Sequence, residues 1–234
     1  EERLQILGLS AMVSDPQTAD WLRARPIVES QRPVDLRQGV LCQGRFSYRE
    51  FNSGLEGVEA FYSSNTYDEG EAMLEAGRFF ANRGETTLLF WPQRSFCYTA
   101  ARKLSRQYKP DTILQIPGLE SLEPTGMRDF LRELLPLRIA VHTSDLTLEE
   151  RRLVESLVRA GDVMLICATS TLAEGINLPV TNVLTTRRMY SARTSENQHS
   201  LPPASLPISR ERLWNMIGRA GRLGLRDYGR GIVV

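Results

Sequence analysis

Lysine is almost absent from this chain. Of 29 basic residues in 234, only Lys103 and Lys109 are lysine; the remainder are arginine. A phosphate-binding P-loop, G-x-x-x-x-G-K-[ST], needs a lysine to reach the β- and γ-phosphates. Lys103 stands in AARKLS and Lys109 in QYKPD, so neither supplies one. Cysteine is scarce too. Cys42, Cys97 and Cys167 are odd in number, far apart and unaccompanied by histidine in ligand spacing. That argues against a disulfide framework and against a metal site, and it fits a reducing compartment. No apolar run approaches the roughly 18 residues of a membrane span. The opening EERLQILGLSAM lacks the basic, apolar and small-residue regions of a signal peptide. A cytoplasmic protein without membrane contact is therefore expected. An excess of one charge is also missing: acidic residues number 28 and the formal net charge is +1. Any nucleic-acid binding must come from local clustering of charge.

What is present suits a folded domain. Hydrophobic residues make up 41 %, enough for a sizeable core in one large domain, or in one domain plus a piece of another. LQILGLS (4–10) reads as a short buried strand, followed by a helix from Asp15 to Ala24 with Pro16 in its first turn. PVDLRQGVLCQGRFSYREF (33–51) alternates well enough to suggest a hairpin or two extended strands around Gln43-Gly44. Residues 52–66 are polar and read as a loop. Helices are expected at 68–83, 94–108, 124–135 and 147–160, the last with Thr147 and Glu150 as a capping box. Apolar strands are expected at 86–91, 138–142, 163–169, 182–186 and 231–234. The Pro-rich stretch 187–208 reads as a long polar loop, and a further helix starts near Ser209. Apolar strands separated by amphipathic helices imply an α/β fold with a mainly parallel sheet covered on both faces.

Such sheets bind ligands beyond the carboxyl ends of their strands. The residues there are WPQRS (91–95), TSDLT (143–147) and TSTLAEGINLP (169–179). Helix starts after these loops offer free N–H groups to phosphate and could track a nucleic-acid backbone. Taken one at a time, each reads more readily as a well-capped helix, because capping is common. In NMIGRAGR (215–222), Arg219 and Arg222 are three apart and can point the same way, which suits a polyphosphate. Gly218 and Gly221 admit close approach by a ligand or another backbone. A basic Gly-rich loop with no partner remains the other possibility. Asp68-Glu69-Gly70-Glu71 mimics a D-E-x-x metal-holding box, but it follows a polar loop instead of an apolar strand and reads as the acidic first turn of a helix.

Taken together, these segments resemble the second RecA-like domain of a superfamily-2 helicase, in the Ski-like and archaeal DNA-repair branch, preceded by the end of the first domain. GLSAM (8–12) resembles the S-A-T motif, LLFWPQR (88–94) the fourth motif, and VHTSDLTLEERRLVE (141–155) the F-H-H-A-G-L-x-x-x-x-R segment. ATSTLAEGINLP (168–179) is similar to the fifth motif, and NMIGRAGR to the sixth, Q-x-x-G-R-A-G-R. The resemblance spans essentially the whole chain and implies residues 1–32 as the end of the first domain and connector, and 33–234 as the second RecA-like domain. It implies Arg219 and Arg222 as arginine fingers toward ATP, and Gly175 and Asn177 as nucleotide-proximal residues. Thr169, Arg94 and His142 become candidate contacts to the nucleic-acid backbone, with a structural role for His142 equally open. Ser10 and Ala11 would couple hydrolysis to strand movement. The implied ligands are ATP with Mg2+, its metal ligands lying in a first RecA-like domain, and single-stranded or unwinding DNA or RNA, moved 3′ to 5′. Alone, a chain without P-loop or metal-binding carboxylates is expected to hydrolyse nothing. The rival reading is a catalytically silent helicase-like module that binds nucleic acid or protein. Three departures stand out: Met12 replaces the Thr of S-A-T, Asn215 replaces Gln, and Thr143-Ser144-Asp145 replaces H-A-G.

Overall fold

In the computed structural model the described residues are 23, 31–169, 178–191, 204–221 and 227–234. The strand expected at 4–10, Ser10, Ala11, the helix expected at 15–24 (Arg23 apart), Gly175, Asn177 and Arg222 lie outside them. The chain divides between Gln31 and Arg32, and the fold described is that of Arg32–Val234. Its elements are β1 (Asp35–Cys42), β2 (Arg45–Glu50), β3 (Glu56–Ala60), α1 (Glu69–Asn82), β4 (Thr87–Trp91), α2 (Arg94–Gln107), α3 (Gly126–Leu134), β5 (Ile139–His142), α4 (Leu148–Ala160), β6 (Leu165–Thr169), β7 (Asn182–Thr185), β8 (Arg188–Ser191), β9 (Ala204–Pro207), α5 (Arg210–Ile217) and β10 (Tyr228–Val233).

Eight strands form one sheet in the order β3-β2-β1-β10-β7-β4-β6-β5. Neighbours from β1 to β5 are parallel, and β1–β2 and β2–β3 are antiparallel. This is the RecA-like, mostly parallel α/β arrangement, with the hairpin joined to the sheet as its edge. Gln43 and Gly44, both at positive φ, make the tight turn between β1 and β2. The segment 52–66, read from sequence as a loop, contains β3. Its alternation is masked because it is an edge strand bearing Glu56 and Glu59, and charge on an edge blocks pairing with other chains. Likewise β8 and β9, inside the stretch read as one loop, pair antiparallel as a separate ribbon. β10 begins earlier than the expected GIVV, because Gly229 and Arg230 also sit in the ladder.

Burial explains the continuous apolar runs. Leu88, Leu89 and Phe90 of β4 are at most 1 % exposed, and burying each such side chain contributes about 2 kcal/mol. Side chains alternate between faces. Leu89 and Leu165 lie on the face that receives Gly77 of α1, whereas Gly231 meets Ile217 of α5 on the other. Among the described residues no helix is long and apolar enough to cross a membrane.

A polar ladder crosses the amino-terminal ends of the central strands. Arg230, 7 % exposed, pairs with Glu85 at 2.9 Å and with Glu59 at 2.9 Å, and donates to the Asn182 side-chain oxygen Oδ1 at 3.2 Å. Its guanidinium also lies over the rings of Phe61, Phe80 and Tyr228. Arg37 extends the ladder to Glu59 at 2.7 Å and Glu50 at 3.1 Å. Arg230 and Glu85 are buried but paired and hydrogen-bonded, the condition under which the interior tolerates charge, while Arg37, Glu50 and Glu59 are partly exposed.

Candidate functional site

The sheet's carboxyl edge gathers several of the expected residues. Arg94 opens α2 directly after β4, and Thr169 ends β6 in register with Trp91. Thr169 is 7 % exposed. Arg94 is more than half exposed, and its guanidinium is paired with Asp145 in the loop after β5. Asp145 also accepts from the Tyr98 hydroxyl at 2.5 Å, and that hydroxyl sits 3.0 Å from the Thr143 hydroxyl. Hydrogen bonding from Tyr98, followed by the pairing with Arg94, holds the Asp145 carboxyl below the usual carboxylate range. Burial and the bond to Asp145 push the Tyr98 hydroxyl up. The replacement of H-A-G by Thr143-Ser144-Asp145 thus has a local use. It supplies the hydroxyl and carboxylate that hold Arg94 and Tyr98.

His142 lies elsewhere. It ends β5 in register with Ala168, on the opposite face from Thr169. Its ring is buried, 3 % exposed, with Nε2 3.5 Å from Glu155 of α4. Burial pulls its pKa below the ordinary value, with Glu155 opposing. Its geometry is that of an interior histidine supporting α4. The helix itself starts as its sequence dictates. Thr147 accepts from the Glu150 amide at 3.2 Å, and Glu150 accepts from the Thr147 amide at 2.7 Å. Glu150 also accepts from the Thr125 hydroxyl, and Thr125 caps α3, so one carboxylate serves two helix starts.

The second cluster lies where the fifth-motif segment ends and the sixth turns. α5 starts at its cap Ser209 and closes at Gly218. Beyond it, Ala220 forms a parallel bridge with Val180, and the Gly221 amide donates to the Val180 carbonyl at 3.1 Å. Gly221 has φ near 76°, and a Cβ there would stand 2.7 Å from the Gly229 nitrogen. Its small size is therefore used by another backbone, one of the two uses open from the sequence. Arg219 sits in this turn, half-buried, and burial pulls its pKa below the ordinary value. A guanidinium remains cationic even so. From the other side, the Arg32 guanidinium donates to the carbonyls of Gly218 at 3.0 Å and Ala220 at 2.9 Å.

The D-E-x-x look-alike is the start of α1. Asp68 accepts from the Glu71 amide at 2.8 Å, Glu69 pairs with Arg187 at 2.8 Å, and Glu71 pairs with Lys103. Sequence reasoning missed Arg32, Tyr98, Asp145 and Gly229. Only Asp145 carried a signal, as a departure from the motif it occupies.

The geometry gives a cationic turn fixed to the end of the fifth-motif segment and a polar edge beyond the parallel strands. A cation held in a partly desolvated turn suits a phosphate group. The family model described as "Helicase conserved C-terminal domain" matches residues 98–224, over half of the chain. The chain is 30 % identical over 241 residues to an ATP-dependent DNA helicase Hel308 of Caldivirga maquilingensis, covering 98 % of this chain and 30 % of that protein. It is 31 % identical over 242 residues to the Hel308 of Pyrobaculum calidifontis, covering 99 % and 31 %. It is 30 % identical over 250 residues to a Helicase POLQ-like protein of Drosophila melanogaster, covering 99 % and 22 %. The chain thus spans less than a third of the length of these curated relatives.

Proposed function

Because the chain belongs to the helicase conserved C-terminal domain family, we propose that it acts as the carboxyl-side motor domain of an ATP-dependent superfamily-2 helicase. Its work is to bring arginine fingers to ATP and to hold a nucleic-acid strand by its backbone. The observation that carries this is the bridge between Val180, just past the fifth-motif segment, and Ala220 of the sixth, with Arg219 in the turn beside it. Charge develops on the transferred phosphoryl oxygens, and a positioned guanidinium stabilises it. Arg219 and Arg222 fill that role, and Gly175 and Asn177 approach the same nucleotide. Mg2+ would neutralise the phosphates, held by carboxylates of the first RecA-like domain, the partner across the cleft. Ser10 and Ala11 in residues 1–32 relay the cleft's state.

At the carboxyl edge, Thr169 and Arg94 are the strand contacts, while His142 serves them only by supporting α4. The strand is DNA, as the names of the Hel308 relatives suggest, and its movement is 3′ to 5′. Closure around ATP and reopening after hydrolysis would advance the strand along this edge. The cellular setting is the cytoplasm.

Arg219→Ala in the intact protein tests the reading. It should lower kcat by about 10³-fold, as loss of an arginine finger does, while strand affinity stays within about twofold. Near-normal turnover would favour the silent binding module instead.

A further inference from the structure

Arg32 lies outside every motif considered above and is the first residue of the Arg32–Val234 unit. One guanidinium nitrogen, Nη2, makes both contacts to the turn, 3.0 Å to the Gly218 carbonyl and 2.9 Å to the Ala220 carbonyl. These two carbonyls flank Arg219. The Arg32 backbone is itself anchored: its amide donates to the Asn52 side-chain carbonyl at 2.8 Å, and the Asn52 side-chain amide donates to the Arg32 carbonyl at 2.9 Å. Asn52 follows β2, and its backbone N–H donates to the Asp35 carboxylate of β1 at 3.0 Å. The turn bearing Arg219 is therefore gripped from both sides, by Val180 through the Gly221 amide and, through Arg32, by the start of β1 and the end of β2. Arg32 is partly buried, and its cation lies just past the carboxyl end of α5, where the helix dipole favours positive charge. A charge-assisted bond to a carbonyl is stronger than a neutral one.

We propose that Arg32 is a positioning residue for the arginine finger: it sets where Arg219 stands by holding the carbonyls on either side of it. The proposal rests on Arg219 acting at the phosphates. Arg32 itself touches no reacting atom. A misplacement of about 1 Å costs up to about 10²-fold in rate. Because the Gly221–Val180 bond still holds the turn, a loss of about tenfold is expected when Arg32 lets go.

The test is steady-state ATP hydrolysis by the intact protein at saturating single strand, with strand affinity and thermal midpoint measured alongside. Arg32→Met keeps an unbranched apolar stem and removes the donors. It should lower kcat about tenfold with the KM for ATP and the strand Kd within about twofold. Arg32→Lys should restore most of that rate, since a single nitrogen makes both contacts. In an Arg219→Ala background, Arg32→Met should cost nothing further. Wild-type kcat in Arg32→Met, equal impairment of folded Arg32→Lys, or an undiminished tenfold loss in the Arg219→Ala background would each overturn the proposal. If Arg32→Met does not fold, Arg32→Gln, too short to span the turn, is held to the same outcomes. Near-normal turnover in Arg219→Ala sinks the finger reading itself. A collapse there with an unaffected Arg32→Met sinks only the role of Arg32.

Discussion

Gly221 and Gly229 face each other backbone to backbone, so closely that a Cβ on Gly221 would stand 2.7 Å from the Gly229 nitrogen. The last strand and the sixth-motif turn are thus in direct contact, with no side chain between them. Gly229→Ala should force them apart. Overpacking of this kind costs about 3 kcal/mol, and the displaced turn carries Arg219. We expect a lowered urea midpoint at unchanged m-value, together with a kcat loss that persists well below the unfolding transition. A midpoint equal to wild type would show that the turn adjusts freely.

Asp145 neutralises Arg94 at the sheet's carboxyl edge. Asp145→Asn should retain the hydrogen bonds of Tyr98 and release the charge of Arg94. Strand affinity should rise about threefold at low salt, and the plot of log K against log salt should steepen by about 0.7 for one added phosphate contact. Titrations at four salt concentrations give the slope. An unchanged slope would mean that Arg94 does not meet the strand.

Thr169→Val exchanges a hydroxyl for a methyl at the end of β6. Losing one hydrogen bond to a strand phosphate is worth about 1 kcal/mol, or roughly fivefold in Kd. At saturating strand, kcat should hold. A defect confined to kcat would count against a strand contact.

His142 makes stability depend on pH. Its folded pKa lies below its unfolded value of about 6.5. Between the two, the unfolded chain binds a proton that the folded chain refuses, so stability rises with pH across that window. The stability is fully present above pH 6.5 and declines as pH falls through and below that value. Unfolding curves from pH 7.5 to 5 should show the decline, and His142→Gln should flatten it. Parallel curves for the two proteins would exclude His142 as the source.

Arg230→Met would leave Glu85 buried with its principal partner gone. Breaking a buried pair from one side costs about 3–5 kcal/mol. Adding Glu85→Gln should recover part of that loss, because the uncompensated charge is then removed. Urea unfolding of the single and double variants checks both statements, and equal stability of the two variants would contradict the second.

The legible parts of the fold were those whose local pattern agrees with their tertiary setting. β4 and β6 are apolar on both faces because helices cover both, and Thr147 and Glu150 announce a helix start within four residues. β3 was illegible because Glu56 and Glu59 interrupt its alternation. The charge of Glu59 is satisfied by Arg37 and Arg230, residues distant in the chain. The sixth motif showed Arg219 and its flanking glycines, but not what holds them. Arg32 and Gly218 are 186 positions apart, and no short-range pattern encodes a contact of that span. The motif also could not say whether Gly221 makes room for a ligand or for β10. That depends on the parallel bridge at Val180, which only the assembled sheet creates.

β1 and β10 lie side by side and parallel, paired from Asp35–Tyr228 through Val40–Val233. Tension entering at Arg32 and leaving at Val234 would pull these neighbours in opposite directions along their length. That is shear, in which all the cross-strand bonds resist at once and none is peeled open alone. On the proposed motor reading, the paired register of β1 and β10 is where such a load would fall.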